Sequence, residues 1–521
     1  MRCAGIPALA AACVLSASGA AADLMIELKD YATMPITGAV NGPGNSAGLL
    51  ARINFLREEP GGGRNRLFVN DLNGPLYILD KGSRQTKTYL NLNGRGGQTG
   101  IFHRLAIDNL LASGFISFEF DPDYAHNGKF YTIHFEDPSL PASSLPDNRS
   151  FPRLNTSGYT VTPAIHTVGK TEREAVLIEW TDTEPANSTF EGTARELMRV
   201  EYSGGIHPMG DLAFNPAARP GDPDWRVMYI ATGDGGNGEQ ISSVRDNPQR
   251  LDMLVGKILR IVPDLKEHTG RSSVSDNGRY RIPNDNPFTS KSGARKEIWA
   301  YGLRNPHRLT WDGDRLLAIV IGLRNWEMVD IVHKGANYGY SLREGPQQLN
   351  ADNTLTSVPA NDVIPIRIDA TKTDGTVHPS YPVIAYDHSQ AGGGAIANGF
   401  VYRGKAIPAL RGKFLFGDIT TGKVWWADMK DMIAADDGDP RTMAEIHAVK
   451  ISWNDHIYER MAPINEVAYH ARGGKAEHLP GAERVPGGRS DVRFGIDAAG
   501  ELYVMTKSDG VIREVVGASL R

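Results

Sequence analysis

The sequence predicts an all-β protein, and three observations predict it. Short apolar or alternating runs recur along the whole chain, closed by Asp, Asn, Gly and Pro, and its 57 glycines and 31 prolines follow no short fixed period. A unit of apolar strand, acidic–glycine turn and apolar strand returns near Phe120, Phe214, Trp311, Phe416 and Phe494. Helical periodicity is nearly absent, with one short helix expected over 429–435. Many short strands with regular turns suit a sandwich, a barrel or a propeller. About five or six hairpin-rich segments of unequal length suit a propeller best. A site at a propeller's channel mouth would draw on loops distant in sequence.

The elements justify themselves in order. RLFVNDLNGPLYILD (66–80) reads as strand, Asn-Gly turn, strand. GFISFEFDPDYAHNGKFYTIHF (114–135) repeats the pattern around a longer acidic turn. AVLIEW (175–180) and ELMRVEY (196–202) follow, then GDLAFNP and WRVMYIATGD (210–234), then GKILRIVP (256–263). EIWAYG, RLTWDGDRLLAIVIG, FVYRG, GKFLFGDITTGKVWWADM and VRFGIDAAGELYVMTKSDGVIREVV complete the series. Polar, turn-rich stretches at 137–163, 264–292, 350–379 and 473–489 read as surface insertions.

Bulk composition narrows the partners. The chain is 40% hydrophobic and 22% charged, with a formal charge of −5, so nothing advertises nucleic acid or an anionic membrane. Arg2, the apolar run 6–15 and Ala20-Ala21-Ala22 before Asp23 read as a secretory signal over 1–22. Residues 23–521 would then form one domain in a secreted or periplasmic protein. The only cysteines, Cys3 and Cys13, lie within the signal, so the mature chain would hold no thiol. No later stretch has the roughly 20 apolar residues that span a bilayer.

Several residues could carry chemistry. His207, in a Gly-Gly-Ile-His-Pro loop, offers an imidazole that titrates near neutrality. Arg304 and Asn305 offer a cation and a carboxamide in a turn stiffened by Pro306. Gly322 ends an apolar run and opens a loop. GDGGNGE (233–239) reads as a hairpin turn sooner than an ion nest, and AGGGAIANG (391–399) as a close backbone approach to a ligand or channel, not a dinucleotide fingerprint. No HExxH, CxxC or GxSxG occurs, which removes the commonest zinc-protease, thiol and serine-hydrolase readings.

Taken in order, GFISFEFDPDYAHNGKFY, HPMGDLAF, YIATGDGGN, NPQRLDMLVGKI, EIWAYGLRNPHRLTWD, WEMVDIVHKGANYGY, GGGAIANGFVYRG, LRGKFLFGDITTGKVW and FGIDAAGELYVMT run over nearly the whole chain after the signal. In this the chain resembles the soluble PQQ-dependent glucose/sorbosone (aldose sugar) dehydrogenases, which are six-bladed β-propellers. The resemblance implies that His207 is the base that takes the sugar's hydroxyl proton. It implies that Arg304 and Asn305 touch the quinone, with Arg304 polarising the carbonyl that receives hydride. It implies that the backbone carbonyls of Gly322 and Leu323 help to hold Ca²⁺, and it makes Arg403 and Lys423 candidate partners for the cofactor's acidic groups.

Departures from the family pattern fall at Ala112, Ile206, Val320, Ile321, Leu323 and Met328, where polar residues are common in the family. The function implied is oxidation of an aldose or related alcohol, with electrons passed to an external acceptor. The alternatives are a non-catalytic propeller that binds carbohydrate or protein, and a lactonase-like hydrolase, which would need several carboxylates converging on one metal.

Overall fold

Each hairpin read in the sequence folds, and later strands extend it to four antiparallel strands; in the second sheet the short strand Leu154–Asn155 adds a fifth, parallel to Gly192–Tyr202. The first sheet orders Ile53–Glu58, Arg66–Asp71, Pro75–Asp80 and Thr86–Asn91. The second orders Phe115–Phe120, Lys129–Glu136, Arg173–Asp182 and Gly192–Tyr202. Met209–Phe214, Met228–Thr232, Lys257–Ile261 and Ile298–Tyr301 make the third. Asn305–Asp312, Arg315–Ile321, Trp326–Ile331 and Ile384–Asp387 make the fourth. Ile396–Val401, Lys413–Asp418, Val424–Asp428 and His447–Trp453 make the fifth. The last joins Val492–Ile496, Leu502–Thr506 and Val511–Leu520 to Leu24–Thr33 from the other end of the sequence. This computed structural model describes residues 23–38, 40, 49–61, 63–107, 113–239, 243–388, 393–480 and 488–520. The expected signal, Ala112 and the start of the glycine-rich run lie outside them.

The first strand of each sheet faces a common axis. Ile53–Glu58 lies beside Phe115–Phe120, which lies beside Met209–Phe214; then come Asn305–Asp312, Ile396–Val401, Val492–Ile496 and Ile53–Glu58 again. Such strands are covered on both faces, and Met209–Phe214 and Ile396–Val401 are buried along their whole length. Core clusters fill the spaces between adjacent sheets, for example Phe118, Phe120 and Phe130 with Phe55 and Phe68.

Helix is scarce, as expected. Met429–Ala434 forms where one short helix was read, capped by the Asp428 carboxylate on the Lys430 N–H at 3.0 Å. Ala462–Ala471 is a ten-residue helix that the sequence reading did not anticipate. The insertions build small hairpins of their own, Ser272–Val274 with Arg281–Pro283 and Ile364–Arg367 with Thr373–Val377.

Register fixes which loops meet. Ile53 pairs with Asp71, Met209 with Thr232, Asn305 with Ile321 and Ile396 with Asp418. The segments that enter the first strands therefore share one end of the ring with the turns that leave the second strands. We call that end the mouth.

Candidate active site

His207 stands two residues before Met209–Phe214 with φ of +52°, a left-handed backbone that a non-glycine residue adopts at a cost of about 1–3 kcal/mol. Local hydrogen bonds hold it there. The Gly235 N–H donates to the His207 carbonyl at 3.1 Å and the Gly233 N–H to the Pro208 carbonyl at 2.8 Å. The residue is 8% exposed, and its Nδ1 lies 2.7 Å from Asp234 Oδ1.

Asp234 is 0% exposed and is the hub of this mouth. Its Oδ1 also accepts the Gly236 N–H at 2.8 Å, and its Oδ2 accepts the Gly238 N–H at 3.2 Å and the Tyr340 hydroxyl at 3.4 Å. Its own N–H donates to the Arg304 carbonyl at 2.8 Å, which ties the third sheet to the fourth. Burial by itself would raise this carboxyl, but the His207 imidazole, the Arg304 guanidinium and the Gly236 N–H outweigh burial and hold it below the ordinary range. An ionised carboxylate only accepts, so the imidazole proton sits on Nδ1 and the basic lone pair on Nε2. The loop needs its glycines: Gly236 has φ of +79°, and a Cβ on Gly238 would fall 1.7 Å from the Tyr340 hydroxyl.

Arg304 and Asn305 arrive on the neighbouring strand, both buried. Arg304 Nη1 donates to the Gly322 carbonyl and, at 3.3 Å, to that of Ile321. Asn305 Oδ1 is buried with no hydrogen-bond partner among the described residues, an orphaned acceptor at the mouth. His207, Arg304, Asn305 and Gly322 therefore come together, as the sequence reading expected. The sequence favours a hairpin turn for GDGGNGE over an ion nest, and so does not assign Asp234 a place beside the imidazole. The signal that could have found it is register: strand YIAT pairs with the strand that follows His207, so the next residues must lie beside the imidazole.

Three expected positions have other surroundings. The Gly322 carbonyl is directed at a guanidinium, which is a poor neighbour for a dication. The nearby Glu344 carboxylate is committed to the N–H groups of Arg324, Asn325 and Trp326 at 2.8, 2.9 and 3.3 Å. Among the described residues no three His, Cys, Asp or Glu side chains converge as a metal site, and Ca²⁺ asks for about six to eight oxygens. The Gly322 carbonyl, turned to the Arg304 guanidinium, therefore does not fit a calcium ligand as arranged.

Arg403 is displaced altogether. It leaves the far end of Ile396–Val401 and grips Asp312 at 2.6 and 2.7 Å, seven residues along the strand from Asn305, roughly 20 Å from the mouth. Lys423 does lie at the mouth end, half-buried in the turn 419–423, where its carbonyl accepts the Asp418 N–H at 2.9 Å. In the glycine-rich run the Gly394 and Ala395 N–H groups donate to the Asp418 carboxylate at 2.9 and 3.0 Å.

The apolar departures are packing residues. Val320 is buried with Leu309 and Met328, and Leu323 with Tyr340 and Leu349. Ile206 lies over Gly236.

Known proteins share this fold and part of this sequence. The chain is 25% identical over 391 residues to the HIPL1 protein of Arabidopsis thaliana, covering 70% of this chain and 50% of that protein. It thus spans about half the length of the curated relatives it matches first. The fold is similar to the apo soluble aldose sugar dehydrogenase of Escherichia coli (TM-score 0.55, 17% identity, 95% and 100% of the two chains). It is also similar to the PQQ-bound aldose sugar dehydrogenase of Streptomyces coelicolor (TM-score 0.50, 15% identity, 95% and 98% covered). Residues 63–459, most of the chain, match the Glucose / Sorbosone dehydrogenase family, and the chain belongs to that family.

Proposed function

We propose that this chain is a PQQ-dependent dehydrogenase that oxidises an aldose sugar or related alcohol, passing electrons to an external acceptor. The observation that carries the reading is the convergence of His207, Asp234 and Arg304 through contacts of 2.7 and 2.8 Å at one mouth. The proposed architecture is a six-bladed β-propeller in one unit over 23–521. It is supported by the four-stranded sheets and by the closed order of their first strands. Export by a signal over 1–22, to a secreted or periplasmic location, is part of the same proposal. No helix among the described residues is long and apolar enough to cross a membrane.

Bound PQQ would supply the acceptor of an electron pair delivered as hydride. The mouth suits it: the Arg304 guanidinium is fixed on the carbonyls of Ile321 and Gly322, and the carboxamide oxygen of Asn305 is buried without a partner among the described residues. His207 Nε2 takes the proton of the substrate hydroxyl as the carbon gives up hydride and becomes a carbonyl. Asp234 keeps the Nδ1 proton in place and stabilises the imidazolium that forms. Arg304 places positive charge where the acceptor gains negative charge, and its carbonyls at Ile321 and Gly322 keep the guanidinium from swinging away. Asn305 orients the acceptor through its carboxamide. No step is assigned to calcium.

The test is a calorimetric titration of purified protein with PQQ, with and without Ca²⁺, followed by an aldose panel with a dye acceptor. We expect micromolar binding without added Ca²⁺, dye reduction with at least one sugar, and for His207→Ala loss of turnover with binding kept. Binding that appears only with Ca²⁺ would return Gly322 and Leu323 to a metal role. Absence of binding in both conditions would sink the dehydrogenase reading and leave a propeller that binds carbohydrate or protein.

A further inference from the structure

Below the mouth the axis is crowded with cations. Lys507 follows Leu502–Thr506 and is wedged between the last and first sheets: its N–H donates to the Asp491 carbonyl at 3.4 Å and its carbonyl accepts the Ala51 N–H at 3.3 Å. Its side chain is 1% exposed, yet its ammonium makes no hydrogen bond or ion pair with any described residue. A buried, unsatisfied ammonium is among the costliest arrangements a fold can keep.

Its surroundings add to the charge. Arg493, 5% exposed, bonds only neutral groups among the described residues, Asn54 Oδ1 at 3.2 Å and the Val492 carbonyl at 2.8 Å. Arg308 reaches across the axis from the fourth sheet to the Asn54 carbonyl of the first at 3.3 Å, and bonds the Gly210 carbonyl at 2.9 Å. Arg52 is buried nearby and bonds Asn73 Oδ1 at 3.0 Å. His307 Nε2 is buried without a partner among the described residues.

The carboxylates close enough to matter are already engaged. Asp491 pairs with Arg489 at 2.8 Å, and Asp71 accepts the Thr37 hydroxyl at 2.6 Å. Asp211 accepts the Ser117 hydroxyl at 2.6 Å and the Leu309 N–H at 3.0 Å, and stands 3.8 Å from Arg308. The strain registers on the cations themselves. Burial, together with the neighbouring positive charges, pushes Lys507 and His307 well below their ordinary values and brings Arg493 down to about 9.

We infer that the floor of the mouth is a binding site for a carboxylate-bearing anion, with the Lys507 ammonium as its direct contact and Arg493 and His307 beside it. The site uses none of the groups assigned to proton removal. The anion would complete the Lys507 hydrogen bonds and offset the charge that the fold leaves uncompensated. The carboxylate has two possible sources, the acidic groups of the quinone proposed above or a separate small acid, and the chemistry at Lys507 is the same for both.

The experiment uses malonate as probe, with wild type, Lys507→Met and Lys507→Arg. For wild type we expect a malonate-dependent rise in Tm and saturable calorimetric binding. Lys507→Met should bind malonate at least tenfold more weakly and should melt higher than wild type without ligand, because it removes an unpaired buried charge. Lys507→Arg should retain binding within a few-fold. Equal malonate affinity in wild type and Lys507→Met, or no binding by wild type, would overturn the site. A lysine that merely supports the fold would lower the Tm of the Met variant, and that result would also count against it. PQQ that competes with malonate identifies the quinone as the source of the carboxylate; simultaneous binding identifies a separate acid. Malonate needs no quinone, so failure of the dehydrogenase reading and failure of this site are read separately.

Discussion

At the scale of single residues, the mouth works because one carboxylate serves several masters. Asp234 orients His207, receives the N–H groups of its own loop and anchors the next sheet through the Arg304 carbonyl. Removing its charge while keeping its shape separates these duties. Asp234→Asn should lower sugar-linked turnover by about 10²–10⁴, since the imidazole would lose its fixed tautomer. Quinone affinity, read by calorimetry, should stay within a few-fold of wild type. Recovery of turnover at high pH would fit a base that has lost its partner. A turnover equal to wild type at all pH values would remove Asp234 from the positioning role. The sequence singles out His207, Arg304 and Asn305 through the runs that resemble the family, and the structure sets each before or at the start of a strand at one mouth. The sequence did not make Asp234 legible, because a carboxylate in a Gly-rich turn looks the same whether it faces solvent or an imidazole. Lys507 was hidden for the opposite reason: a lysine after a strand reads as solvated, and only its 1% exposure sets it apart.

At the scale of elements, which end of a strand a residue leaves decides whether it can serve the site. The segments that enter first strands carry His207 and Arg304, whereas Arg403 exits a first strand and so reaches Asp312 at the opposite end. Spacing along the sequence could not separate these two cases; strand register could. The strands themselves were readable because alternation and acidic–glycine turns mark both ends of a hairpin. The helix Ala462–Ala471 was not, since its buried Ala462, Ile464 and Tyr469 sit among Asn, Glu and His in a polar stretch. One strand carries a testable burden of its own. In Trp326–Ile331, burial, with Asp436 nearby, pushes the Asp330 carboxyl up to about 8. The folded state thus holds a proton that the unfolded chain, with a value near 4, releases. The resulting stability is complete below about pH 4 and is lost as pH rises through about 8. Asp330→Asn should remove that loss. The variant should gain roughly 2 kcal/mol or more on wild type between pH 5 and pH 9 in urea unfolding. Parallel pH curves for the two proteins would show that Asp330 titrates as an ordinary surface acid.

At the scale of the whole molecule, the ring is closed by strands from the two ends of the sequence. Leu24–Thr33 pairs antiparallel with Val511–Leu520, matching Leu24 to Leu520 and Thr33 to Val511, and runs parallel to the outer strand of the fifth sheet. It is therefore the seam between the last sheet and its neighbour. Leu24, Ile26 and Leu28 are buried there with Val449, Ile451 and Val515. The Lys507 floor and the His207 mouth lie in different sheets, so both depend on this seam to hold the circle at one diameter. Ile26→Ala removes buried methyl groups at the seam and should cost about 2–5 kcal/mol. The manner of loss is more informative than its size. If the ring is one cooperative unit, Ile26→Ala will shift a single unfolding transition, with tyrosine and tryptophan signals from distant sheets moving together. It will also weaken malonate and PQQ binding only as far as global unfolding dictates. If instead a separate early transition appears, confined to the last sheet, the seam is a latch that opens while the other sheets stay folded. In that case Lys507, which follows the second strand of that sheet, should lose its ligand before His207 loses its partner Asp234.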